Sequence, residues 1–291
     1  MPIYEQGYRS YDGQVRQRGR WLIVLEQELR VLVKARIFLV LLLGALLHTL
    51  LRLLQVVAYD IVMQDPNHPL TPLLANVEFI RVSERTFFDF IRIQSPLTLL
   101  IILYAGAGMI CNDMRNNLME VYFSKPLNWR DYVLGKVLTL VLLGLTVTAL
   151  PATLLVLLHN IFMANWETLN ATWWWIPAIF GFSLAVVLPA VFTILACSAV
   201  IRSERYAAIT VFMIVLANSG MGVILAETLR QRNYQIISFP LAVDRLGQAM
   251  FSARQPIFDL HWGWSVLFIA GVCLIGLVLV ARRARRAEYA V

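Results

Sequence analysis

The side chains best suited to chemistry gather in one short stretch, Asn112 to Lys136, reading NDMRNNLMEVYFSKPLNWRDYVLGK. It holds acids, bases, amides and two tyrosines, yet no catalytic pattern. Gly135-Lys136 lacks the upstream glycine of a phosphate-binding loop, and Val137 stands where that loop needs Ser or Thr. His48, His68, His159 and His261 are scattered, with no pair at zinc-binding spacing. No nucleophile elbow occurs. Cys111, Cys197 and Cys273 have neither metal nor disulfide spacing and read as small apolar residues. The chain is therefore expected to be no enzyme and to hold no cofactor or metal. The stretch offers a charged surface that another protein can grasp.

The elements that must position this surface are strongly apolar. Of 291 residues, 59% are hydrophobic and only 15% charged, against about a quarter charged in soluble chains. A hydrocarbon core of about 30 Å takes roughly 20 residues of helix. Six stretches qualify: Ile37–Tyr59, Pro96–Cys111, Tyr132–His159, Trp173–Ile201, Ala207–Leu229 and Trp262–Ala281. Phe87, Phe88, Phe90 and Ile91 could extend the second outward. Period-two alternation is absent, which excludes a barrel. The expected fold is an all-α integral membrane protein. A 1–36 segment with an amphipathic interfacial helix over Trp21 to Arg36 precedes a six-span domain, 37–281, and a basic tail, 282–291. The first span follows too long a polar lead for a cleaved signal peptide and is expected to be retained.

Lys and Arg set the orientation. About 17 of the 25 basic residues fall on the side of the termini and of the Asn112–Lys136 stretch, so both termini are expected in the cytoplasm. The charge implies no nucleic acid, because no basic run is interleaved with stacking aromatics. The Arg282–Arg286 cluster is expected to attract anionic lipid.

Within the polar stretch, Asp113 to Phe123 reads as one short helix. Met114, Leu118, Val121 and Tyr122 recur at helical spacing, with Arg115, Asn116, Asn117 and Glu120 between them. Lys125-Pro126 breaks the chain. Asn128 can cap a new helix, with Trp129, Arg130 and Asp131 in its first turn, that runs through Tyr132, Gly135 and Lys136 into the third span.

Polar residues inside spans form a second set. His48 and Arg52 share one helical face, and an arginine at mid-span costs roughly 2.5–3.5 kcal/mol unless it meets protein, water or headgroups. Either a cavity contact or snorkelling outward accounts for it. Asn218 and Glu227 in the fifth span are the other candidates for a pathway. Glu78 to Gln94 reads as a helix on the outer surface, and Trp173, Trp174 and Trp175 as interfacial anchors. The loop Arg230 to His261, with Phe239 and Pro240, is too apolar for a plain loop and reads as a re-entrant gate element or a surface helix.

The chain resembles the type-2 ABC-transporter permease family, the membrane subunits of ATP-driven exporters. The family's acidic residue, L-x-S-x-P run, Arg, aromatic and Gly-Lys correspond to Glu120, Phe123-Ser124-Lys125-Pro126, Arg130, Tyr132 and Gly135-Lys136. Glu28 to Phe38 is similar to the family's approach to its first span. Phe123 and Asn116-Asn117 depart from the usual residues. The resemblance implies that Arg115–Phe123 is a coupling helix held by a separate ATPase subunit. It also implies two such subunits carrying ATP and Mg, a second permease chain in a homodimer or heterodimer, and outer gate helices within Arg230–His261. An extracytoplasmic partner at the outer loops, contact with membrane lipid, and residence in the cytoplasmic (inner) membrane of a bacterium or archaeon complete the expectation. Two alternatives remain at this point: a non-transport, force-transmitting scaffold, and an intramembrane lipid-modifying enzyme built on His48, Arg52 and Glu227.

Overall fold

The computed structural model describes residues 19–64, 69, 71, 80–124, 127–251 and 261–289. Among these there is helix and no strand. Six helical stretches are long and apolar enough to cross a membrane: Arg36–Gln64, Glu84–Arg115, Trp129–Met163, Trp166–Val200, Glu204–Thr228 and Trp262–Glu288.

The α-helices run α1 (Trp21–Leu32), α2 (Arg36–Gln64), α3 (Glu84–Gly106), α4 (Cys111–Arg115), α5 (Leu118–Phe123), α6 (Trp129–Val147), α7 (Ala149–Met163), α8 (Trp166–Thr172), α9 (Trp175–Val200), α10 (Glu204–Thr228), α11 (Phe239–Phe251) and α12 (Trp262–Glu288). A 3-10 turn, Arg232–Ile237, precedes α11. Helix α9 is the hub, touching α3, α6, α7, α10, α11 and α12. Its sequence is apolar all round, as a helix buried on every side requires. Close approach to α6 depends on Gly144, where a Cβ would stand 2.6 Å from a Val187 methyl.

The outer spans are attached by narrow seams. On α2 only Phe38, Ala45, Arg52, Val56 and Asp60 are buried, a stripe at seven- and four-residue spacing. On α10 only Ala207, Val211, Gly222 and Ala226 are. Leu39, Leu43, Leu46, Leu47, Leu50, Leu51 and Leu54 of α2 are exposed, a surface that in a bilayer meets lipid or another chain.

Three spans are interrupted, and in spans two and three the reason is legible. Pro151 has no N–H for the carbonyl of Val147, four residues back, and the helix interrupts at Thr148. Gln94 from α3 donates to that Val147 carbonyl at 3.4 Å and to the Ala45 carbonyl at 3.3 Å, joining three spans at one level. Span two breaks between Gly106 and Cys111. The buried Ser198 hydroxyl donates there to the Ala107 carbonyl at 2.8 Å and accepts from the amides of Ile110 and Cys111.

Several expectations need correction. Glu84 to Gln94 is no surface helix: it is the first half of span two, with Phe87, Phe88, Phe90 and Ile91 buried in the bundle. Trp173 is exposed, but Trp175 is core, packed on Phe87 and stacked on His159. His159 sits 2.8 Å from the buried Asp60, tying α7 to α2 near their far ends. The basic residues Arg282 to Arg286 belong to the last turns of α12, which is helical through Glu288.

Candidate functional site

The polar stretch closes one end of the bundle, the end that carries most of the cations. Its foundation is a buried charge cluster assembled from three elements. Helix α1 is amphipathic, and its buried side, Val24, Leu25 and Leu32, packs on α6. The seat is Gly135, where a Cβ would lie 2.7 Å from the Val24 Cβ and 3.0 Å from the Trp21 carbonyl. This fit delivers Glu28 to Lys136, whose ammonium is fully buried and bonds Glu28, Asp113 at 2.7 Å and the Met109 carbonyl at 3.0 Å. Two carboxylates and one orphan carbonyl of the span-two break thus surround one cation, as a buried charge demands. The Tyr132 hydroxyl donates to Asp113 Oδ2 at 2.8 Å, and Lys136 Nζ lies 5.3 Å from the Tyr132 ring centroid.

Aromatic contacts carry the cluster outward. The rings of Tyr122 and Phe123 lie 5.7 and 6.0 Å from that of Tyr132. Burial raises the Tyr122 phenol above its ordinary value, Lys136 lowers it by less, and Asp113 and Glu28 raise it further, so it is neutral at physiological pH.

The stretch is two short helices rather than one. α4 ends at Arg115, and Asn117 adopts φ 53°, a left-handed conformation that Asn tolerates. Arg115, Asn116, Asn117 and Glu120 are exposed, and only Met119 of α5 is buried. Lys125 and Pro126 lie outside the described residues. Asn128 is extended and precedes α6, but its side chain makes no capping bond; the Glu288 carboxylate accepts from the Trp129 amide instead, at 3.4 Å. Arg130 and Arg285 lie 5.5 and 4.7 Å from the Trp129 ring centroid.

The second set of residues does not converge. His48 stacks on Phe90 and lies 2.5 Å from Gln94 Oε1. Arg52 is buried, with Gln55 Oε1 accepting at 2.7 Å. Asn218 belongs elsewhere: it donates to the Ile237 carbonyl at 2.8 Å and accepts from the Phe239 amide, pinning the start of α11 to α10. Helix α11 turns Ala242, Val243, Leu246 and Phe251 into the bundle, and Arg92 reaches Asp244 at 2.9 Å. Pro240 and Glu227 are exposed. Between α2 and α6–α7 runs a cleft of about 890 Å³, walled almost wholly by aliphatic side chains with Gln94 and Thr49 among the few polar ones.

Among the described residues no group of His, Cys, Asp and Glu is placed to hold a metal ion. Sequence reasoning did not single out Gln94, Ser198 or the Asp60–His159 pair. A polar residue set within an apolar run was the available signal, and its partner lay on another span, 53 residues away for Gln94 and Val147 and 88 for Ser198 and Ile110.

Six apolar spans, with a polar element standing on a buried charge cluster at one end, define a polytopic membrane protein. The chain belongs to the ABC-2 family of transporter proteins, whose family model matches residues 22–253. It is the permease component of an ATP-binding-cassette transporter and, as the family implies, associates with an ATPase subunit. No curated protein is similar enough to match.

Proposed function

We propose that this permease works in an exporter, that α4 and α5 dock on the partner ATPase, and that this end of the bundle lies in the cytoplasm with both termini. ATP and Mg are then handled by two partner subunits, and a second permease chain covers part of the exposed face of α2 or α10. The observation that carries the reading is the Glu28–Lys136–Asp113 cluster. A surface that receives force must not yield at its base. The exposed Arg115, Asn116, Asn117 and Glu120 stand on a three-way charge contact joining α1, span two and span three. Closure of the ATPase dimer would thereby move whole spans, biasing the bundle between two packings.

Arg115→Glu and Glu120→Arg test it in the purified permease–ATPase complex in lipid nanodiscs. Both are expected to abolish stimulation of ATP hydrolysis by the permease while its elution volume and helicity stay unchanged. Fully coupled turnover in both variants would refute the docking assignment.

A further inference from the structure

The last turns of α12 do not stand apart as a lipid anchor. Twenty-seven residues of helix reach about 40 Å, beyond a hydrocarbon core of about 30 Å, and the overhang lies against the polar stretch. Arg283 Nε donates to Met114 Sδ at 3.0 Å, Arg285 lies over Trp129, and Glu288 accepts from the Trp129 amide. Between this overhang and α5 is a hollow of about 280 Å³. Met114, Met119 and Ala287 give it an apolar floor; Glu120, Arg283 and Arg286 stand on its rim. Among the described residues neither Arg286 nor Glu120 has an ion-pair partner.

We propose that this hollow is a second contact for the ATPase subunit, receiving an acidic side chain on Arg286 beside an apolar side chain on the methionine floor. The proposal rests on the docking reading above and adds the end of α12 to the surface. Two features favour a protein over an anionic headgroup. A phosphate on Arg286 would bring no hydrogen-bond donor to the neighbouring Glu120 carboxylate, and it would leave the floor unfilled. Protein side chains can match both: acid to Arg286, donor to Glu120, and an apolar group against methionines, which adapt to the shape they meet.

The test uses the full-length chain in its native membranes with p-benzoylphenylalanine replacing either Leu118 on α5 or Tyr289, one turn beyond Arg286. Illumination and mass spectrometry identify the adducts. An ATP-binding-cassette ATPase captured from both positions is the expected result. Arg286→Glu is expected to lower the Leu118 adduct about tenfold, and Arg282→Glu, equal in charge but outside the hollow, by less than about twofold. An ATPase adduct from Leu118 with only lipid or nothing from Tyr289 overturns this inference and leaves the docking reading intact. Equal losses in the two arginine variants overturn it as well, since charge alone would then suffice. No ATPase adduct from either position removes both.

Discussion

Lys136 and Asp113 belong to different membrane-spanning stretches, yet their charged groups meet at 2.7 Å with the lysine closed to solvent. Removing one partner of such a contact strands the other, at about 3–5 kcal/mol. Lys136→Met is therefore expected to lower the thermal unfolding midpoint of the detergent-solubilised protein sharply, by stranding Asp113 and Glu28. The triple variant Glu28→Gln, Asp113→Asn, Lys136→Met retains the packing without the charges and is expected to recover most of the loss. A triple variant as unstable as the single one would show that the cluster acts through something other than charge balance.

Gly135 sets the distance between α1 and α6. Gly135→Leu is expected to push α1 off its seat. A cysteine at Val24, which is 2% exposed, should react slowly with a membrane-impermeant maleimide in the parent and quickly in the Gly135→Leu background. Equal labelling rates would show that α1 can shift to accommodate the larger side chain.

Gln94 and Pro151 are coupled through one carbonyl. Gln94→Leu leaves the Val147 oxygen without its donor, an expected cost of about 1–3 kcal/mol. In a Pro151→Ala background the restored amide N–H takes over that oxygen, so Gln94→Leu should cost measurably less there. The double-mutant cycle, read by chemical denaturation in detergent, gives the interaction directly; additivity would mean that the two residues do not share the Val147 carbonyl.

Asn218 holds the start of α11 with both ends of its amide. Asn218→Leu is expected to release it, seen as faster amide exchange over 239–243. Asn218→Asp keeps the acceptor for Phe239 and loses the donor to Ile237, so an intermediate rate is expected. Protection unchanged in both variants would assign the anchoring of α11 to its apolar face alone.

What was legible beforehand follows from range. Apolar runs reveal spans because the lipid requirement is met residue by residue, and so the six were countable. The Gly135-Lys136 pair stood out through resemblance, but its partner Glu28 lies 108 residues away, and no local pattern announces that pairing. Asn117 is a different kind of miss. The spacing of Met114, Leu118 and Val121 favours continuous helix, while Asn-Asn favours a left-handed stop, and the stop prevailed because an exposed turn has no packing to oppose it. Glu84 to Gln94 misled by its charges: Arg92 and Glu84 sit on the same stretch as the core phenylalanines, and periodicity could not say which side was inward. Ser198 was hidden because a serine in an apolar helix is common; only the facing break in span two gives it a role.

The seam that holds α2 has a consequence for where this protein can work. Its 29 residues reach about 43 Å, well beyond the hydrophobic thickness of a bilayer, and a single stripe of five residues fixes it to the rest. A helix fastened along one line can lean, and the lean it adopts follows the thickness of the surrounding membrane. Acyl-chain length is thereby expected to act on this permease: thin and thick bilayers are expected to set the first span at different tilts and to open the neighbouring aliphatic cleft to different widths.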